Sequence, residues 1–390
     1  MHNLSKWWKS GSPWIWLNAG AVAVSMVTVI ALLALILVRG LGHFWAADVI
    51  ELVYQDELSP RKIAGELVRK ETIDLKKLGI EPSESKDGER WLIKTGNREL
   101  SADFLWIEHA TIVSVSTPKG LVVLERNEWG AFYGYLLSVS EEEALVAEGD
   151  QAWEEFSQRI DRVAALRDKI HQLERVEMGS INYQLEKLRL ERKKLELSGS
   201  DSPEALEEIQ LKESQFRREF DVYMADLMAL NKEIERDSAI FQVVGGEEVS
   251  ISLAEVIKGL QPNSMTKTEK VGEYISTFVS FLSDNPREAN TEGGVFPAIF
   301  GTVVMVLIMS IIVTPFGVIA AVYLREYASQ GIVTKVVRIA VNNLAGVPSI
   351  VYGVFGLGFF VYFLGGSLDS LFFPEYAPAP YLGTSGLMWA

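Results

Sequence analysis

The sequence predicts a membrane α-helical protein with an exterior α+β insertion, the insertion made of a small β domain and an antiparallel coiled-coil hairpin. Three observations predict this. Long apolar stretches without a charged residue run from Trp14 to Val38, from Val295 to Leu324 and from Leu344 to Leu364. Almost all of the formal charge lies between the first two, where residues 40–290 hold 31 basic and 48 acidic side chains, a net of −17. Inside that region the apolar period changes from two to three and four.

About 20 apolar residues cross a hydrocarbon core, so residues 14–38, 295–324 and 344–364 are long enough to span. A cleaved signal sequence needs an apolar core of only about 7–15 residues, and the first stretch exceeds that. Lys6 and Lys9 precede the first span, and basic flanks stay in the cytoplasm, which places residues 1–13 there and 40–290 outside. Arg325, Lys335 and Arg338 then mark 325–343 as a cytoplasmic connection. Residues 365–390 read as an exterior loop and the start of a fourth span.

Within the insertion, residues 48–139 alternate with period two in short β-branched and aromatic runs, separated by breaks such as Pro118-Lys119-Gly120. That is the pattern of a small antiparallel sheet or barrel. Residues 151–238 carry helical stripes, the cleaner running from Leu206 through Phe216 and Leu227 to Ile234 with Glu213 as its polar interruption. Between the stripes, Gly199 as a helix stop and Ser202-Pro203 as a helix start predict a tight turn, and Gly179 predicts a bend in the first arm. In the return segment, 240–290, Phe241 to Val244 reads as a strand. Leu253 to Leu260 reads as an amphipathic helical turn or two, and Val271 to Leu282 as a short helix leading to the membrane.

A surface this acidic argues against nucleic acid or anionic lipid as its partner. The chain contains no cysteine, which excludes disulfides, thiolate catalysis and zinc–cysteine sites. His2, His43, His109 and His171 are scattered without metal-ligand spacing, and no G-x-x-x-x-G-K-[ST] loop is present. The sequence therefore predicts no catalysis, cofactor or metal here, and any energy for pumping comes from another subunit. The apolar stretches lack the acids and bases of proton relays, but carry helix-shaping residues, notably Pro315, Gly317 and Pro348.

Three segments carry a family resemblance. Asn290-Thr291-Glu292-Gly293-Gly294 precedes the second span. That span ends in Thr314-Pro315-Phe316-Gly317 and continues to Leu324-Arg325-Glu326-Tyr327. The third segment is Asn342-Asn343-Leu344-Ala345-Gly346-Val347-Pro348-Ser349. Together they resemble the A-type permease subunit of the bacterial phosphate-specific ABC transporter, in an enlarged branch with a long periplasmic insertion. The resemblance implies a type I ABC importer fold in the inner membrane. It also implies a second permease subunit, a cytoplasmic ATPase dimer and a periplasmic phosphate-binding protein as partners, alongside membrane lipid. Members of that family continue through further spans, so the chain reads as cut short near Ala390. The alternative is a non-transporting membrane sensor or adaptor whose exterior coiled coil docks an envelope partner.

Overall fold

Glu89–Lys94 buries every second side chain, Trp91 and Ile93, as a strand with one face on a core does. In the computed structural model, residues 10–56, 59–72, 88–100, 102–142, 144–344 and 346–384 are described. The basic N-terminus with Lys6 and Lys9, and residues 385–390 of the stretch 365–390 expected to hold an exterior loop and the start of a fourth span, lie outside them. The described residues divide into two compact units: those up to Ile160 together with Ser238–Gly294, and Asp161–Asp237 together with those from Val295 on.

The first unit opens with the apolar helix Ser12–Gly42. Five strands follow: β1 (Val49–Gln55), β2 (Pro60–Thr72), β3 (Glu89–Lys94), β4 (Phe104–Glu108) and β5 (Ile112–Ser116). They form an antiparallel sheet in the order β4-β3-β2-β1-β5. β4 and β5 are thus opposite edges, yet only the 3-10 turn His109–Thr111 joins them. Edges of a flat five-stranded sheet stand about 19 Å apart, whereas four residue steps reach at most about 14 Å. The sheet must therefore curl into a small barrel, around a core of Ile50, Leu52, Trp91, Ile93 and Ile107.

The same arrangement is built a second time. Strands β6 (Leu121–Arg126), β7 (Phe132–Glu141), β8 (Ala144–Glu148), β9 (Asp237–Gln242), β10 (Glu248–Ser252) and β11 (Val256–Leu260) follow. Their order is β10-β9-β7-β6-β11, with β8 folded onto β7. Once more the two edges are joined by a 3-10 turn, Leu253–Glu255. The correspondence extends to single residues. Gly65 of β2 is the register partner of Ile50 on β1, and Gly134 of β7 that of Val122 on β6. A side chain on Gly65 would collide with the carbonyl of Lys94, the last residue of β3. A Cβ on Gly134 would lie 3.0 Å from the carbonyl of Gln242, the last residue of β9. The closing strands bulge at one position, β5 skipping Val113 and β11 skipping Ile257.

The two barrels pack through Val49 and Ala64 of the first against Leu121 and Tyr133 of the second. The Tyr133 hydroxyl donates to Glu66 (3.1 Å) and that of Tyr135 to Glu51 (2.8 Å). Burial, and then the Glu51 carboxylate, push the Tyr135 phenol up to about 12, so it stays a donor. Asn97 brackets Tyr133, accepting from its N–H (2.7 Å) and donating to its carbonyl (3.0 Å). Asn263 does the same to Val49 (2.9 and 2.7 Å).

One sequence expectation is corrected here: Leu253 to Leu260 is a 3-10 turn followed by a strand, not an amphipathic helix. Ser252 caps the turn by accepting from the Ala254 N–H (3.3 Å). Val256 and then Lys258–Leu260 pair with β6, whose edge they cover, with Ile257 bulged out of the ladder.

The long excursion between β8 and β9 is helical. Ala152–Gln172 runs through a π-helical stretch, Leu173–Met178, into Gly179–Ser198, and Pro203–Ile234 returns. The widened turn ends where Gly179 predicted a bend. Gly199 adopts φ 63° at the C-cap, and the Ser202 hydroxyl accepts from the Ala205 N–H (3.2 Å) just before Pro203. In the second unit the arms run antiparallel, with Arg192 of one paired to Glu213 of the other at 3.4 Å. Glu213 also holds Arg217 (2.8 Å), which explains a carboxylate in the apolar stripe. At the base of the arms, fully buried Asp237 accepts from Arg162.

Two further apolar helices complete the second unit, Phe296–Tyr327 and Ser349–Phe372, with the amphipathic helix Ile332–Leu344 between them. By length and composition these two and Pro13–Gly42 suffice to cross a membrane. Their side chains face outward, with Val38 71%, Ile311 72% and Ile350 73% exposed, as lipid-facing residues are. The last helix starts at Ser349, later than the expected 344, because Pro348 has no N–H to give a preceding turn.

Candidate functional site

The segment Asn290–Gly294 forms a tight corner in the first unit. The helix Lys267–Ser283 ends just before it, and Pro286–Arg287 pairs with Glu292–Gly293 in a two-residue ladder. Glu288, Ala289 and Asn290 between them all take left-handed φ values of 45°, 54° and 69°. Such backbone costs roughly 1–2 kcal/mol per L-residue, so the surroundings must hold it. Arg98 donates to both Glu288 carboxylate oxygens at 2.9 Å and to Asp103 at 3.1 Å, and lies 3.8 Å from Glu292. The Trp129 N–H donates to Glu288 (3.0 Å), and the Thr291 hydroxyl to the Glu288 carbonyl (2.6 Å). The Glu288 hydrogen bond outweighs burial and raises the Arg98 guanidinium further above its already high pKa.

Both glycines of the corner are required. Gly293 has φ 84° with Asn285 O only 2.6 Å from where a Cβ would be, and a Cβ on Gly294 would collide with the Asp284 carbonyl. The corner is a braced turn of the first unit, held by the Arg98–Glu288 pair. A cavity of about 470 Å³ opens beside it, lined by Lys94, Lys258, Arg287 and Glu292 among others. Two of its cations are paired, Lys258 with Glu273 (2.6 Å) and Arg287 with Glu125.

The remaining expected residues lie in the second unit and on separate elements. Pro315 sits inside the helix Phe296–Val322, where it frees the carbonyl one turn back, and Gly317 stands in open space beside it. Arg325 and Glu326 pair at 3.4 Å on the π-helical stretch Tyr323–Tyr327. Pro348 and Ser349 start the last helix, and the Tyr352 hydroxyl reaches back over that break to the Leu344 carbonyl (2.8 Å). Among the described residues no cluster of His, Asp or Glu is placed to hold a metal.

Two features escaped sequence reasoning. Buried Asp369 near the end of the last helix accepts from the N–H groups of Leu382 (2.7 Å) and Gly383 (2.7 Å), folding the chain back onto that helix. Its signal was a lone acid ending an apolar stretch. The arm Gly179–Ser198 also packs against the turn Pro374–Tyr376, and no pattern in the sequence announced that contact.

Comparison with known proteins gives partial matches. Over 116 residues, 30% of this chain and 36% of the relative, the chain is 30% identical to the probable ABC transporter permease protein YqgH of Bacillus subtilis. Over 75 residues, 19% of this chain and 26% of the relative, it is 39% identical to the phosphate transport system permease protein PstA of Pasteurella multocida. Over 117 residues, 30% of this chain and 35% of the relative, it is 34% identical to the phosphate transport system permease protein PstC of Mesorhizobium japonicum. The matches thus span about a third or less of these relatives' length. No protein-family model and no solved structure matches the chain. The likeness is to ABC permeases as a group, of both phosphate subunit names, and does not single out the A type.

Proposed function

We propose that this chain is part of the A-type permease subunit of an ATP-driven phosphate importer of the type I ABC fold. The observation that carries the reading is the joint one of outward-facing apolar helices and likeness to phosphate transport permeases. In this reading residues 14–38, 295–324 and 344–364 cross the inner membrane and border the anion path. Residues 40–290 are periplasmic, with 151–238 a coiled-coil hairpin. Pro315, Gly317 and Pro348 shape the path helices, while Asn290–Gly294 and Arg325-Glu326 fix the ends of the second. A second permease subunit, an ATPase dimer and a phosphate-binding protein complete the assembly.

The alternative, a sensor or adaptor, rests on the hairpin alone. Packing of its first arm on the turn after the last apolar helix favours an accessory built onto transport helices. Uptake tests the reading. The full-length subunit, reconstituted with its partners, takes up phosphate only with ATP, and Pro315→Ala or Pro348→Ala lowers uptake more than membrane abundance. Uptake of another solute, with phosphate failing to compete, overturns the substrate. Sidedness is tested separately: in spheroplasts an impermeant thiol reagent labels Ser202→Cys and spares Ser329→Cys, and the opposite result inverts the topology.

A further inference from the structure

The helix Lys267–Ser283 has two unlike faces. On one, the Lys270 ammonium donates to the Ala46 carbonyl (3.1 Å) and pairs with Asp48. Tyr274, Phe278 and Phe281 of the same face surround Phe44, with ring centroids 6.2, 5.3 and 5.1 Å away. On the other, Val271, Ile275, Val279 and Leu282 are 48, 56, 54 and 40% exposed. Their spacing of four, four and three makes one stripe, and Gly272 and Ser276 beside it add no charge. Four exposed aliphatic side chains in a row need a cover within an insertion that is otherwise strongly charged.

Phe44 indicates which cover. It stands two positions after Gly42, the last residue of the first apolar helix, and so within about 7 Å of that helix's end. Its ring therefore marks the level at which the chain leaves the membrane, where aromatic side chains concentrate, and Trp45, 44% exposed, lies beside it. Because its rings close around Phe44, the helix Lys267–Ser283 lies at that same level. We propose that this helix rests on the bilayer surface with its Val271–Leu282 stripe sunk into the boundary between headgroups and acyl chains. The stripe carries no basic residue, so attachment is by apolar burial and does not depend on anionic lipid. The inference rests on the first apolar helix crossing a bilayer, and its depth reference on the second crossing too, whatever solute the protein moves.

Because the chain has no cysteine, nitroxide labels can be placed singly in the full chain reconstituted in phosphatidylcholine bilayers. Test positions are Val271→Cys, Ile275→Cys and Val279→Cys, so that one poorly folding variant leaves two. Lys212→Cys, on the second arm, serves as the water reference and Ile311→Cys as the lipid reference. The expected result is a several-fold rise in oxygen over nickel-chelate accessibility relative to Lys212, at a depth of roughly 5–10 Å, shallower than Ile311. Accessibility to the nickel chelate equal to that of Lys212 overturns the proposal by showing a water-facing stripe. Exclusion of both reagents also overturns it, because the stripe is then covered by protein, either another subunit or a second copy.

Discussion

Both barrels place an apolar pair inside β3 or its counterpart β9, but the volumes differ: Trp91 and Ile93 in the first become Ala239 and Phe241 in the second. The closing strand changes too, half-exposed Val115 of β5 giving way to Gly259 of β11. The volume lost is refilled from outside the barrel. Buried Phe156, from the first turns of the helical excursion, packs edge-on against Phe241 at 5.9 Å. It lies so close to Gly259 that a Cβ there would be 2.5 Å from its ring. Outward positions diverge as well. Arg90, Phe104 and Trp106 of the first barrel stand where the second has Ser238, Glu248 and Ser250, and the Arg90 guanidinium covers the Trp106 ring at 4.1 Å. The lesson is that the first barrel is complete in itself, whereas the second has incorporated the root of its insertion into its own core.

The largest expected effect breaks that dependence. Phe156→Ala removes a buried aromatic and should cost about 3–5 kcal/mol, with hydrogen exchange accelerating in β9 and β11 while β1 and β3 stay protected. Equal loss of protection in both barrels would show that they fold as one unit. Next come the paired glycines. Gly65→Ala drives a methyl into the Lys94 carbonyl and should cost about 3 kcal/mol, whereas Gly134→Ala, whose nearest atoms stand at 2.9 and 3.0 Å, should cost less, about 1–2 kcal/mol in denaturant unfolding.

A smaller effect depends on pH. Arg126 of β6, where the first barrel has Tyr54, is buried and held by Glu99 and by the carbonyls of Gly130 (3.1 Å) and Trp129 (2.9 Å). Burial is the largest single influence and works to raise the Glu99 carboxyl, but the Arg126 hydrogen bond, a backbone hydrogen bond and the Arg126 charge together keep it below the usual range. A depressed carboxylate stabilises the fold above its unfolded pKa, near 4.3, and loses that contribution as pH falls through the lower folded value. Unfolding midpoints of the parent chain should therefore fall in acid, and those of Glu99→Gln should fall less. The smallest effect is Trp106→Ser, which gives the first barrel the face of the second. Loss of an exposed cation–π stack should cost about 0.5–1 kcal/mol in thermal melts.

How much of this was legible depended on whether the local pattern matched the final partner. The turn Gly199–Pro203 and the arms it joins follow from capping residues and spacing alone. Leu253, Val256, Ile257 and Leu260 have perfect helical spacing, and only the bulge at Ile257, imposed by pairing with β6, turns them into a strand. The duplication leaves few marks: Ile107, Ala110 and Pro118 recur as Ile251, Ala254 and Pro262, each 144 residues on. A helical excursion that splits the second copy hides even these. At the corner before the second apolar helix, the resemblance singled out Asn290–Gly294, but Arg98 was invisible because its partner there, Glu288, lies 190 residues away in sequence. Nothing in Glu288-Ala289 signals left-handed backbone, which only tertiary contacts enforce.

The place of the helical excursion also sets an order of assembly. The first barrel has all its strands once Ser116 is made, whereas β7 must wait for β9 until the whole excursion has been synthesised. Closing so long a loop costs entropy, though only logarithmically in its length, and helices form in about a microsecond from local contacts. A hairpin that zips up first brings Asp237 back to Arg162, delivering β9 to the root from which the excursion left. The late strands of the second barrel then meet by a short search, and Phe156, made about 85 residues before Phe241, finds its partner as soon as that partner exists.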